Sequence, residues 1–329
     1  MKKAIVILAI ALIVLTGAFA QGAKEGSKAS LDKVRVAYMT NYASLNTVVA
    51  GMRTGAFEAE GIEVELVEFA DGPTIIAAME SGSIDIGYIG HGAHKLCING
   101  RADIFAFSHV GNGDAVIGLK SHGVTDAASL KGKKIGYASG TSSELILKWT
   151  LEGVGLTMDD VQAFEMDASA ITSAMTSGSL DACATWSPAT FTILDAMGSD
   201  AFKISDNVTF SDRSASVASW IVMSKWAEAH HDLLVRYTKA LYKGMDYRVD
   251  HVEEVAKWVA EVLGSSYDTI YAQRGDAEWL TSAQLIEQVK NGTIEKLYEV
   301  QKASFGDAVD QSTPVANYVL FDVMLEAAE

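Results

Sequence analysis

The chain has 329 residues, 49% of them hydrophobic, and carries 26 basic against 42 acidic side chains for a formal charge of −16. That length and apolar content suit one large or two medium cores. The acidic excess argues against nucleic acid and against an anionic membrane face as partners. It leaves a small anionic ligand open, because local backbone dipoles oppose a global field over short range.

The first residues read as a secretory signal. Lys2 and Lys3 form a basic start, residues 4–15 are apolar, and Ala18-Phe19-Ala20 has the small-x-small pattern of a cleavage site, so Gln21 is the expected mature start. The apolar run is too short for a confident membrane span, and no Cys lies nearby to anchor a lipid. Removing the two lysines takes the formal charge from −16 to −18. Residues 21–30 are small and polar, hence a loose tail.

Residues 33–39 then read as a strand, followed by a loop at Thr40-Asn41-Tyr42 and helical spacing over 45–53 and 57–61. Alternation marks a strand at 63–69. A helix over 73–80 begins with Pro at its first turn, where Pro is tolerated. A strand over 84–89 runs into Gly90-His91-Gly92. A short helix at 93–98 leads to a strand at 104–110. This alternation of strand and helix predicts a parallel sheet covered on both faces. Gly111-Asn112-Gly113-Asp114 breaks the pattern, and 115–119 is a short apolar strand.

A strand at 134–137 precedes the turn Ala138-Ser139-Gly140-Thr141-Ser142-Ser143-Glu144 and a helix with Leu145, Leu147, Trp149, Leu151 and Val154. A small-residue turn at a helix start leaves unpaired N–H groups beside the positive end of the helix dipole, a place suited to an anion. Thr141, Ser142 and Ser143 add hydroxyl donors. One hydroxyl is enough for a cap; three in a row favour a ligand.

An internal repeat spans the two halves. Residues 75–85 read IIAAMESGSID and residues 171–181 read ITSAMTSGSLD. Met79 matches Met175, Gly82 matches Gly178 and Asp85 matches Asp181. The spacing is too long for a solenoid, so two related αβ lobes are expected. Strands at 115–119 and 216–224 bracket the second lobe as two crossings, where a hinge belongs. The organisation predicted is therefore lobe 1 over 31–114 and 225–329, and lobe 2 over 115–224. After residue 225 the apolar periodicity is helical, at 226–249, 252–263, 280–289, 294–303 and 315–325. Those helices have no strands of their own and are expected to pack on lobe 1. Cys97 and Cys183 fall in different lobes and read as free thiols without metal or redox spacing.

In their order and spacing, several segments resemble the nitrate/sulfonate/taurine class of substrate-binding proteins of bacterial ABC importers. They are Val34–Thr40, Ser81–Gly87, Leu130–Gly136, Leu180-Asp181-Ala182 to Trp186-Ser187-Pro188-Ala189, Val217–Val222 and Trp279-Leu280-Thr281. The resemblance covers residues 33–325 and implies an α/β fold of two Rossmann-like lobes, the type II periplasmic-binding fold, closing on a ligand at the carboxyl ends of both sheets. It implies a monomer that takes a small-molecule ligand to an ABC importer's membrane permease, with no cofactor and no metal. Taurine-binding members have an Asp where this chain has Ala218, so a taurine ammonium needs another carboxylate such as Asp114 or Glu144, beside Trp186, Trp220 or Tyr42. His91 stands where the family often has a small residue. His91 and His94 have helical spacing that could serve a metal, but no matching Asp, Glu or Cys cluster accompanies them, and His94 reads as a helix-surface residue. The ligand residues expected are Thr40, Asn41, Tyr42, Gly90, His91, Gly92, Asp114, Thr141, Ser142, Ser143, Trp186 and Trp220. Aromatic carboxylates and thiamine-precursor pyrimidines remain alternative ligands. Same-fold enzymes, dehydratases or pyrimidine synthases, are the rival class. The leader and the lack of an evident nucleophile–base–orienter set favour transport.

Overall fold

The computed structural model describes residues 30–329, so the leader over 1–20 and its cleavage site lie outside the described residues. The strands are β1 (Asp32–Met39), β2 (Ile62–Phe69), β3 (Ile86–Ile89), β4 (Asp103–Val110), β5 (Ala115–Leu119), β6 (Lys134–Tyr137), β7 (Gln162–Glu165), β8 (Ala182–Thr185), β9 (Ala201–Asp206) and β10 (Val217–Val222). They form two five-stranded sheets, ordered β2-β1-β3-β10-β4 and β7-β6-β8-β5-β9. In each sheet the first three strands run parallel and the fourth runs antiparallel to both neighbours. One plan is used twice.

The sequence repeat is the local basis of that plan. Its copies form the helices Gly72–Glu80 and Ala168–Thr176 and lead into β3 and β8, the central parallel strands. Asp71 and Asp167 cap the two helices, accepting from the Thr74 and Ala170 amides at 2.9 and 2.8 Å. Gly82 and Gly178 leave the helices in the left-handed region, at φ 76 and 70°, which side chains with a Cβ avoid. Asp85 and Asp181 then accept the backbone N–H of Arg35 and Lys134 on the adjoining strand, at 2.9 and 2.8 Å. Every residue of β3 and β8 is buried, as parallel strands covered on both faces require.

The crossings differ from the sequence expectation. β5 is paired on both edges inside the second sheet, and β10 on both edges inside the first, and each is buried along its whole length. A strand held on both sides cannot pivot. The chain passes between sheets in the loops on either side, at residues 111–114 and 207–216, and β10 belongs with the first lobe rather than the second.

The helices after residue 223 pack on the first sheet, whose core runs from Val34 through Trp220, Leu234, Val255 and Tyr298 to Met324. The helix expected over 226–249 is two, Ser224–Ala229 and His231–Asp250, broken where His230 leaves helical geometry (φ −131°, ψ 34°). Within the helix expected over 315–325, Val319 instead bridges to Ile104 on β4. The second sheet has a smaller core on each face, one around Leu147 and Trp149, the other around Ile171 and Ile193. Cys97 and Cys183 are buried free thiols. No helix among the described residues is long and apolar enough to cross a membrane.

Candidate functional site

Both sheets present the carboxyl ends of their parallel strands to one cleft, the position at which open α/β sheets bind ligands. β1 ends at Met39 and Asn41, β3 at Gly90-His91-Gly92, β6 leads to Thr141 and Ser142, and β8 leads to Trp186 and Ser187; all line a cavity of about 90 Å³.

The two crossings lie side by side at one edge of the cavity. Asp114 N–H donates to Asn207 Oδ1 and Asn207 Nδ2 donates to Asp114 Oδ2, both at 2.8 Å. Gly111 N–H donates to the Ser216 carbonyl at 2.7 Å. A late segment joins them: Asn112 N–H donates to the Asp276 carbonyl at 2.6 Å, and Gln273 and Asp276 line the cavity.

Closure is tight across the cleft. A Cβ on Gly92 would overlap the Thr141 carbonyl carbon and the Ser142 amide, so only glycine permits this approach. His91 packs its ring edge-on to Trp149 of the second lobe, with centroids 5.9 Å apart, and against Phe305 at 5.2 Å. Ser142 Oγ donates to Asp114 Oδ1 at 2.5 Å.

Burial sets the protonation states. It lowers His91 and His109 to about 3, so both rings are neutral at neutral pH. Burial raises the Asp114 carboxyl, although Ser142, Asn207 and Ser216 hydrogen bonds work against it. Burial raises Asp276 to about 6, with the Asp114 charge adding to it.

Of the residues expected from sequence, Asn41, Gly90, His91, Gly92, Asp114, Thr141, Ser142 and Trp186 line the cavity. Four do not. Thr40 is exposed on the strand end. Tyr42 opens the helix Tyr42–Arg53, gives its N–H to Gln273 at 2.9 Å and turns its ring edge to Trp279. Trp220 is 1% exposed in the middle of the first sheet, edge-on to Tyr88. Ser143 is fully buried; its Oγ accepts the Ala138 N–H at 3.0 Å and donates to the Ala184 carbonyl at 2.8 Å. The anion turn is narrowed with it: Gly140 N–H donates to the Glu144 carboxylate at 2.6 Å and Ser143 N–H to Thr141 Oγ1 at 3.2 Å, while the Ser142 N–H, at the cavity wall, has no protein acceptor among the described residues. His94 is also corrected. It is fully buried, with Nδ1 3.0 Å from the Gly90 carbonyl and Nε2 2.9 Å from Ser219 Oγ. Nδ1 therefore carries the proton and Nε2 accepts.

Tyr88, His109, Gln273 and Asp276 line the cavity without having been singled out by sequence. Tyr88 and His109 fall inside apolar strands, where the pattern indicates only burial. Gln273 and Asp276 sit in a short turn with no periodicity to mark it. The hydroxyls of Ser142 and Ser187 bond to Asp114 and to Gly113 and Thr190, not to an imidazole, so no activated nucleophile is assembled among them. Among the described residues no group of three or more His, Cys, Asp or Glu is placed to hold a metal.

A model of the family described as NMT1/THI5 like matches residues 43–255. The chain belongs to this family. A protein of Brucella abortus (strain 2308) named as a binding protein is 30% identical over 261 residues, spanning 79% of this chain and 81% of its own. One of Bacillus subtilis (strain 168), named as an aliphatic sulfonates-binding protein, is 29% identical over 272 residues, covering 80% and 79%. Among solved structures, the alkanesulfonate-binding protein SsuA from Xanthomonas axonopodis pv. citri, bound to MOPS, aligns over 88% of this chain and 99% of its own, with a TM-score of 0.66 at 21% identity. That likeness shows a shared fold: two lobes of mixed five-stranded sheets, with a helical C-terminal segment.

Proposed function

We propose that this chain is the extracytoplasmic substrate-binding component of an ABC importer, and that its cleft closes on one small organic anion or zwitterion. The observation that carries the reading is the cavity itself. It is enclosed by residues of both repeat-related lobes, at the carboxyl ends of their strands, beside two short crossings. Such an arrangement buries a solute when one lobe swings onto the other, and a membrane permease then distinguishes the closed from the open shape. The relatives' names support a sulfonate-like or taurine-like solute, and the basic, apolar leader in residues 1–20 supports export. Monomeric state and the permease partner follow from the same reading.

Native mass spectrometry of the protein purified without denaturation, followed by a thermal-shift panel of sulfonates, amino acids, betaines, aromatic carboxylates and pyrimidines, tests it. A solute that binds the folded state raises the melting temperature by mass action. A bound small molecule or a stabilising one is the expected result. Steady turnover of the stabilising compound, or no binding by any of them, overturns the reading.

A further inference from the structure

The charge of the cleft is one-sided. Asp71, Asp114 and Asp276 line it, and none of its lining residues is Lys or Arg. Asp71 is committed to capping the helix that follows it. Asp114 accepts from Ser142 and Asn207 and Asp276 from Ser187, neutral donors that leave the charge of each carboxylate unbalanced. They flank the same crossing: a Cβ on Gly113 would stand 3.5 Å from the Asp276 carboxyl carbon, and Asp114 is the next residue. No Lys or Arg pairs with either among the ion pairs of the described residues. The buried Arg248 guanidinium lies behind Tyr88 and His109, gives its Nη groups to Asn46, Thr47 and the Leu280 carbonyl at 2.7, 2.8 and 3.2 Å, and pairs with neither carboxylate.

On the opposite wall the Ala138, Gly140 and Ser143 amides are taken by Ser143, Glu144 and Thr141, and the Ser142 amide, with no protein acceptor among the described residues, is left for the far end of a solute. The Ser142 hydroxyl already donates its hydrogen bond to Asp114. Two carboxylates in one desolvated space repel each other unless a cation or a proton is shared between them. Tyr88 and Trp186 line the same cavity, and their rings suit a cation's alkyl or ring portion.

We infer that the solute carries a protonated nitrogen, seated between the carboxylates of Asp114 and Asp276, so that the cleft selects an organic ammonium or a zwitterion over a plain anion. The inference rests on the binding reading above and narrows it: the cavity is the same, and the acids decide what enters. A sulfonate or carboxylate is accommodated only at the other end of such a molecule.

Matched pairs test this at pH 7.5 by calorimetry and thermal shift: taurine against isethionate, β-alanine against propionate, an aminomethylpyrimidine against its hydroxymethyl counterpart, and any solute found by native mass spectrometry. The amine member of at least one pair binds, and its partner binds at least about 100-fold more weakly. Asp276→Asn then weakens that amine about tenfold or more, and Asp114→Asn does the same, while both variants keep the wild-type circular dichroism. Tighter or equal binding by the nitrogen-free partner, a co-purified solute without a basic nitrogen, or unchanged amine affinity in Asp276→Asn overturns the inference and leaves the binding-protein reading standing. Absence of binding by every compound and of any co-purified solute overturns both.

Discussion

The two sheets share a strand order and a repeated helix-to-strand unit, yet they are buried very differently. The first is wrapped by the helices of residues 224–329, and one continuous core runs from Val34 on β1 to Met324 near the chain's end. The second is covered only by its own helices, its core is split by the sheet, and its edge strand β7 is exposed at every residue. The same αβ build thus gives an anchored lobe and a light one. Stability resides mainly in the first, because free energy of burial scales with apolar area removed from water. On the binding reading the second is the moving part, tied through two crossings that are bonded to each other at Asp114–Asn207 and Gly111–Ser216.

The sharpest way to break this contrast is to hollow the anchored lobe. Trp220 is the largest fully buried side chain and sits between β3 and β4. Trp220→Ala is expected to cost about 3–5 kcal/mol, seen as a fall in the urea midpoint of the whole chain. Ile171→Ala in the light lobe is expected to cost about 2–4 kcal/mol and to expose that lobe to protease first. Whole-chain unfolding from both, with no protease-sensitive second lobe, would show the two lobes to be one cooperative unit.

The next test acts where the lobes meet. Gly92→Ala places a methyl group against the Thr141 backbone, which belongs to a helix start and cannot yield as a side-chain end can. Overpacking of this kind costs about 1–3 kcal/mol. The cost falls on the closed form alone, so solute affinity drops roughly 5- to 150-fold while the melting temperature of the empty protein stays within a degree or two. An equal fall in the empty protein's stability would mean that closure does not need a swing at all.

How much of this was legible beforehand follows the same division. The repeat was legible because each copy needs buried Ile and Met at helical spacing, a left-handed glycine and an Asp that holds the neighbouring strand. β7, Gln162-Ala163-Phe164-Glu165, was not, since a strand exposed on both faces has no alternation to show. Of the site, the loop ends at Asn41, His91 and Asp114 could be placed from strand ends alone. Trp220 and Ser143 misled, because a bulky aromatic and a third hydroxyl look the same in sequence whether they face a solute or the interior. Asp276 left no sequence sign: it reaches the crossing through tertiary packing of a late turn, and only the fold brings it beside Asp114.

Acid should act on two sets of buried groups in the anchored lobe in opposite senses, and leave the light lobe aside. Burial holds His91, His94 and His109, all in the anchored lobe, near 3, 4 and 3, below the ordinary value of 6.5. A depressed histidine contributes stability that is full above 6.5 and lost as pH falls toward 3–4. Asp276, raised to about 6 by burial, beside Asp114 and with Lys203 opposing, behaves the other way: ionising it costs stability, and that cost is relieved as pH falls from 6 toward 3.8. Between pH 7 and 5.5 the three rings lose on the order of 1 kcal/mol each and the acid recovers less than that, a net loss of roughly 2 kcal/mol in the empty protein. Denaturant titrations at the two pH values read it. An unchanged midpoint would mean that at least one of these rings reaches water.

The smallest effect separates the two copies of the repeat most cleanly. Asp85 holds β1 through the Arg35 amide at 2.9 Å and through a two-pronged pair with the Arg35 guanidinium at 2.9 and 2.6 Å. Its counterpart Asp181 holds β6 through the Lys134 amide at 2.8 Å and takes a single bond from His122 at 2.8 Å. Forked charge-assisted bonds are stronger than single ones, and an amide left without an acceptor beside a strand costs about 1–3 kcal/mol. Asp85→Ala is therefore expected to cost about 2 kcal/mol and Asp181→Ala about 1, with amide exchange accelerated at Arg35 in the first case and at Lys134 in the second. Equal costs would assign the role of this Asp in both lobes to the backbone amide alone, since that bond is the part the two copies share.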